Sequence, residues 1–268
     1  MNTTSLDKKT IKQHSILCLA SIALIGCAAH QSDLKPMSHI MSDTQTVNFQ
    51  DYNTSAWVSE KFDGAFSRQF KGKSLNYNIA QFAPEGGVDI GLSQRDVKLG
   101  SVAEVVDGLV ICSSYKTKLS GKGRWWAGPK ISVNWAAMEE NTPSQDDWYE
   151  NYIVEIASST PNELHDIFTG DYFKGEDLGM TKLAGASYRH YKIRYQSWWQ
   201  YWSVRQDYRE SGVLTLEPII DVWVQNGLPT NLRFDGVKAN IETYGAISGT
   251  GEMRVDIGKS TRQDLVCD

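Results

Sequence analysis

Apolar and β-branched residues recur at every second position in short runs along much of the chain. The clearest are GLVICSSYKTKL (108–119), KISVNWAA (130–137), ENYIVEIAS (150–158), SYRHYKIRYQ (187–196) and EMRVDI (252–257). A period of two sends successive side chains to opposite faces, so each run predicts a strand with one face turned to a core. Turn-forming clusters punctuate them: SGKG, TPSQDD, TGDYFKGED, LAGA and SGTG. Short strands at roughly ten-residue spacing with turns between them predict an all-β sandwich or jelly roll. One segment keeps a different period. In EPIIDVWVQNGL, Ile219, Ile220, Trp223 and Val224 share one helical face and Gly227 supplies a stop, which predicts a single helix near residues 218–227. No repeat of fixed length is present.

The alternation is lost toward the N-terminus. MNTTSLDKKTIKQH carries Lys8, Lys9 and Lys12, and the apolar run SILCLASIALIG follows, too short to span a bilayer as a stable helix. The run ends in Leu24-Ile25-Gly26-Cys27, which resembles a bacterial lipobox and implies a signal peptide over 1–26 with Cys27 as the lipidated mature N-terminus. An ordinary cleavable signal with an incidental cysteine is the plainer alternative; the common register of charged, apolar and cysteine segments favours the lipobox. Ala28 and Ala29 follow with no aspartate, and by resemblance to lipoprotein sorting in Gram-negative bacteria this implies the outer membrane, on either face. Residues 27–54 are polar without sustained periodicity and read as a linker, leaving 55–268 as one domain.

Net charge narrows the partners. At −5 the chain lacks the concentrated Lys and Arg that phosphate backbones require, so nucleic acid is excluded. Of four cysteines, Cys18 leaves with the signal and Cys27 takes the lipid; Cys112 and Cys267 remain, as a disulfide or as two thiols. No CxxC, HxxxH or His/Cys cluster is present, so neither a metal nor a cofactor is expected, and the chain is taken as a monomer. Nine tryptophans and twelve tyrosines are a second signal, because several form doublets: Trp125-Trp126, Trp198-Trp199 and Tyr201-Trp202. A strand turns one ring of each doublet inward and one outward. Outward rings serve either sheet packing or as platforms for the apolar faces of sugars.

Glycoside hydrolysis needs two carboxyl groups across the scissile bond. Glu150 opens the strand ENYIVE and shares a face with Tyr152 and Val154; Glu242 lies in KANIETYGAISG with Tyr244 on its face. Aromatic neighbours desolvate a carboxyl and raise its pKa, as an acid catalyst requires. Both could equally be solvated glutamates among 32 acidic residues. Glu155 and Glu252 compete by composition but look exposed.

These segments resemble the family 11 glycoside hydrolases, the jelly-roll β-1,4-xylanases. GKG at 121–123 followed by Trp125 resembles the GKGW turn, and ENYIVE (150–155) the nucleophile strand EYYIVE. TGDYFKG (169–175) resembles TGTYKG, and GASYRHY (185–191) resembles GGTYDIY. QYWSVRQ (200–206) matches the family run almost letter for letter; DVWVQNGL (221–228) resembles its helix, and IETYGAISG (241–249) resembles ATEGYQSSG. The resemblance implies a concanavalin-like jelly roll of two packed antiparallel sheets and a retaining endo-glycanase acting on a β-1,4-linked polysaccharide. It makes Glu150 the nucleophile and Glu242 the acid/base, with carboxyls roughly 5–5.5 Å apart. Tyr152, Gln206, Tyr244, Trp125 and Tyr195 are the substrate-contacting candidates, and Thr117 stands where the family has Asn or Asp beside the acid/base.

One departure bears on function. The long thumb hairpin that clamps substrate in the family has no counterpart between Tyr195 and Gln200, which opens the cleft. A non-catalytic carbohydrate-binding lipoprotein with the same fold is therefore the second reading.

Overall fold

The computed structural model describes residues 45–49, 52–94, 101–102, 108–134, 149–183, 185–196 and 198–259. Two sheets pack face to face. The ten-stranded sheet runs in the order β1 (Gln45–Phe49), β2 (Tyr52–Val58), β5 (Gly87–Gln94), β14 (Arg233–Tyr244), β7 (Arg124–Asn134), β8 (Tyr149–Val154), β12 (Trp198–Arg205), β11 (Ala186–Tyr195), β10 (Glu176–Leu183), with β9 (Ile156–Ala157) also paired to β7. The five-stranded sheet is β13 (Ser211–Thr215), β6 (Leu109–Gly121), β15 (Ile247–Lys259), β4 (Ser74–Gln81), β3 (Gly64–Lys71). All pairings are antiparallel except β8 with β12, which is parallel. This is the jelly roll that the alternation predicts, with that one parallel pair as a refinement.

Alternation explains where the core lies. Val88, Ile90 and Leu92 of β5, Val237, Ala239 and Ile241 of β14, and Leu75, Tyr77 and Ile79 of β4 are buried between the sheets. Each such aliphatic side chain contributes roughly 1.5–3 kcal/mol of transfer free energy. The alternate positions on these strands, Asp89 of β5 and Glu242 of β14, and Lys130 of β7 beside the buried Ile131, therefore turn to the opposite face of the large sheet. The expected helix is present as α2 (Glu217–Gln225), which buries Ile219, Ile220 and Trp223. Trp223 Nε1 donates to Ser203 Oγ at 3.0 Å, pinning the helix to β12.

Three expectations are corrected. The linker placed over 27–54 ends earlier, because β1 and the start of β2 pair as a hairpin at the edge of the large sheet, with Tyr52, Thr54, Ala56 and Val58 buried alternately. A second helix joins the predicted one: α1 (Pro161–Thr169) carries a full capping box. The Thr160 hydroxyl accepts from the Glu163 N–H, and the Glu163 carboxylate accepts from the Thr160 N–H at 2.7 Å. Glu155, read as exposed, is 2 % exposed: the chain leaves β8 there, and its carboxylate accepts from Tyr188 Oη at 2.8 Å and from Arg209 Nε. Cys112 is disulfide-bonded on β6. Its expected partner Cys267 lies outside the described residues, as do the signal peptide and Cys27.

Candidate active site

The concave face of the large sheet carries both candidate carboxylates. Glu150 pairs with Ser132 and Glu242 with Trp126, six positions apart on the intervening strand β7. Ladder register alone would therefore separate them. Both nevertheless line one trench of about 1030 Å³, since long side chains lean along a twisted sheet. Lys130 sits between them on β7, opposite Tyr152 on one side and Lys238 on the other. Its side chain and that of Tyr152 bridge the gap.

Three donors converge on Glu150. Lys130 Nζ lies 3.3 Å from Oε1, while Tyr152 Oη and Gln200 Nε2 each donate to Oε2 at 3.2 Å. Gln200 is register partner to Glu150 across the parallel β8–β12 pair, and Trp202 Nε1 donates to its Oε1 at 3.1 Å, which fixes the amide. The Tyr152 ring stacks on Trp202 with centroids 4.0 Å apart. Phe168 of α1 covers Trp202 in turn, at 4.8 Å. Glu150 is thus a carboxylate held in one orientation by a rigid aromatic stack.

Glu242 meets different surroundings. It is half-buried, and its Oε2 finds no hydrogen-bond partner among the described residues. Burial pushes its pKa up to about 7, against the opposing pull of the Lys130 ammonium and with the Asp89 and Glu150 charges adding to the rise. Asp89 is its register partner on β5. Burial works against an Asp89 anion, but the Lys130 and Lys238 ammonium groups outweigh it and hold the carboxyl below its usual range. Lys130 Nζ reaches Asp89 Oδ2 at 2.7 Å and Lys238 Nζ lies 3.7 Å from Oδ1. The stem of Lys238 crosses Gly91, where a Cβ would stand 2.5 Å from Lys238 Cδ, so the glycine leaves room for that lysine to reach the floor. An oriented carboxyl and a second one in the same trench whose pKa burial raises toward neutrality are the pairing that displacement with acid assistance needs.

Of the sequence-derived candidates, Glu150, Glu242, Tyr152, Tyr195 and Tyr244 all line the trench. Trp125 does not: odd positions of β7 face the core, and it is Trp126 that faces the trench. Gln206 does not either. It lies past the end of β12, its N–H donates to Ser187 O and its amide folds back on Val204 O, both at 2.9 Å. Gln200, at the other end of the same QYWSVRQ run, occupies the trench. Thr117 lies on the small sheet, where it bonds the Tyr77 hydroxyl, and Asp89 stands beside Glu242 instead. Sequence reading missed Lys130, Asp89 and Gln200, and of the Trp125-Trp126 doublet it took the ring that faces the core. The only signal for the three polar residues was a polar side chain alternating with core residues, which reads the same on a solvent face.

The sequence matches no protein-family model and no curated protein. Solved structures do match. The family 11 xylanase from Neocallimastix patriciarum is 18 % identical, with 81 % of this chain and 95 % of that chain covered and a TM-score of 0.61. A loop-swap mutant of the xylanase from the same organism gives 17 %, 81 %, 95 % and 0.61. A mutant of the ENZbleach xylanase gives 18 %, 80 %, 81 % and 0.55. Likeness at this identity speaks for the backbone, and with the sheet order above it shows that the chain has the jelly-roll fold of the family 11 xylanases.

Proposed function

We propose that the protein is a retaining endo-β-1,4-glycanase of the xylanase type, held at the cell envelope by a lipid on Cys27. The observation that carries the reading is the pair of glutamates on one aromatic-lined trench, one oriented by three donors and the other raised toward neutral pKa. Glu242 donates its proton to the glycosidic oxygen while a Glu150 oxygen attacks the anomeric carbon. Water, deprotonated by Glu242, then releases the sugar from Glu150. Trp57, Trp126, Tyr195 and Trp198 line the trench as ring platforms. The indole N–H groups of Trp126 and Trp198 are without hydrogen-bond partners among the described residues, which suits a ligand rich in hydroxyls that can accept from them.

The test is reducing-end release by purified protein on xylan and related β-1,4 glycans, beside Glu150→Gln and Glu242→Gln. Each substitution is expected to lower turnover on the order of 10²–10⁴-fold. Turnover untouched by both would end the proposal. One feature favours a second reading, glycan binding without hydrolysis: β11 and β12 join by a tight hairpin in which Tyr195 pairs with Trp198, so no extended clamp rises between these two strands. Retardation on glycan-containing gels without any reducing ends would select it.

A further inference from the structure

We infer that Lys130 is the fixed countercation of this reaction, balancing Glu150 in the free protein and Glu242 once Glu150 carries the sugar. The inference rests on the glycanase reading and assigns a positioning residue within it.

Its position on the sheet is the first support. β7 is the strand between those that carry the two glutamates, and Lys130 lies on it between Trp126, opposite Glu242, and Ser132, opposite Glu150. The residue is 4 % exposed. Its ammonium is 2.7 Å from Asp89 Oδ2, 3.3 Å from Glu150 Oε1 and 4.6 Å from the Tyr152 ring centroid. Burial alone would strip its proton, yet the surrounding carboxylates outweigh burial and keep it charged. The groups facing it are Asp89 from β5, Lys238 and Glu242 from β14, and Glu150 and Tyr152 from β8; Tyr195 also reaches Glu242.

Charge conservation is the second support. With a protonated Glu242, the anions Asp89 and Glu150 match the cations Lys130 and Lys238. In the first half-reaction the bond from Glu150 to the anomeric carbon forms, the bond to the leaving oxygen breaks, and the Glu242 proton moves to that oxygen. Glu150 is then a neutral ester and Glu242 an anion, so the sum is again zero. Water attack reverses the exchange: its oxygen bonds the anomeric carbon, its proton goes to Glu242, and the electron pair returns to Glu150. A single negative charge thus changes carboxyl on either side of an ammonium that need not move. Without that cation, Glu242 would become an uncompensated buried carboxylate at the moment it acts. Asp89 is the permanent partner that keeps Lys130 in place when Glu150 is neutral.

The test titrates the Glu242 carboxyl by NMR in free protein carrying ¹³C-labelled glutamate, with Glu150→Gln standing for the esterified nucleophile. In E150Q the Glu242 midpoint is expected to fall by roughly one pH unit, because a like charge is removed and the cation remains. Adding Asp89→Asn with Lys130→Met, which removes one anion and one cation and leaves Lys238 as the remaining ammonium, is expected to raise it again by about as much. Lys130→Arg in E150Q keeps the charge and should leave the midpoint within about half a unit. Loss of the pair from folded E150Q with no change in Glu242 overturns the inference, as does an Arg variant that moves it as far as pair removal. If the pair variant does not fold, Asp89→Asn alone in E150Q, which frees Lys130 toward Glu242, must lower the midpoint; a rise or no change overturns the inference. Failure to hydrolyse any glycan would remove the reaction but leave this titration readable, so the two failures are distinct.

Discussion

Glu155 and Glu242 have the same side chain in opposite settings. Glu155 is buried but saturated, with Tyr188 and Arg209 donating to it and Arg205 at 4.0 Å. Glu242 is half-buried and starved of donors at Oε2, so its neutral form is favoured. Because the raised pKa belongs to the acid, activity is expected to be highest below about pH 7 and to fall as pH rises through it, read from kcat/KM on a soluble glycan. The same shift acts on stability. A carboxyl whose folded pKa exceeds its unfolded value adds stability that is fully present below the unfolded pKa and is lost as pH rises through about 7. Glu242→Gln is therefore expected to be more stable than the parent at about pH 8, by about 2 kcal/mol, with the gap closing below about pH 4.5, measured by urea unfolding. Alternation located both glutamates in sequence and could not tell these settings apart, since each depends on partners more than fifty positions away or on another strand.

At the scale of elements, α1 was legible and overlooked. Thr160-Pro161-Asn162-Glu163 is a capping box with proline at the first turn, and Leu164 and Phe168 follow at helical spacing. The helix packs Phe168 on Tyr191 and Trp202, centroids 5.2 and 4.8 Å away, and so walls the trench beside the aromatic stack that holds Tyr152. Thr160→Ala should remove one side of the box and cost about 1 kcal/mol, visible as a lower urea midpoint with unchanged slope; no change would mean that tertiary packing alone holds the helix. The β11–β12 hairpin was also legible, from the few residues between Tyr195 and Gln200. Gln196 takes the left-handed conformation there, φ 52, which a two-residue turn between twisted strands requires. β1 and β2 were not, because a hairpin at a sheet edge alternates with weak polar residues that resemble a tether.

At the scale of the molecule, the large sheet is both half of the core and the floor of the trench. Every strand that contributes a charged group to the trench, β5, β14, β7 and β8, contributes aliphatic residues to the core from its other face. Site geometry is therefore as rigid as the sandwich. No helix among the described residues is long and apolar enough to cross a membrane. The proposed lipid on Cys27 would hold the domain at a bilayer; Cys27→Ser should move the protein from the membrane to the soluble fraction on cell fractionation, and retention there would refute the anchor.

The order of polar and apolar residues settled, without coordinates, that the chain makes many short strands and the helix over 217–225, and it singled out two glutamates beside tyrosines. Those are local properties, set by a period of two or of 3.6 and by the chemistry of near neighbours. Which ring of a tryptophan doublet meets the trench, that Gln200 rather than Gln206 meets Glu150, and that Lys130 stands between the carboxyls were decided only by the fold. They depend on strand register and sheet twist, which join residues far apart along the chain and which no single strand records.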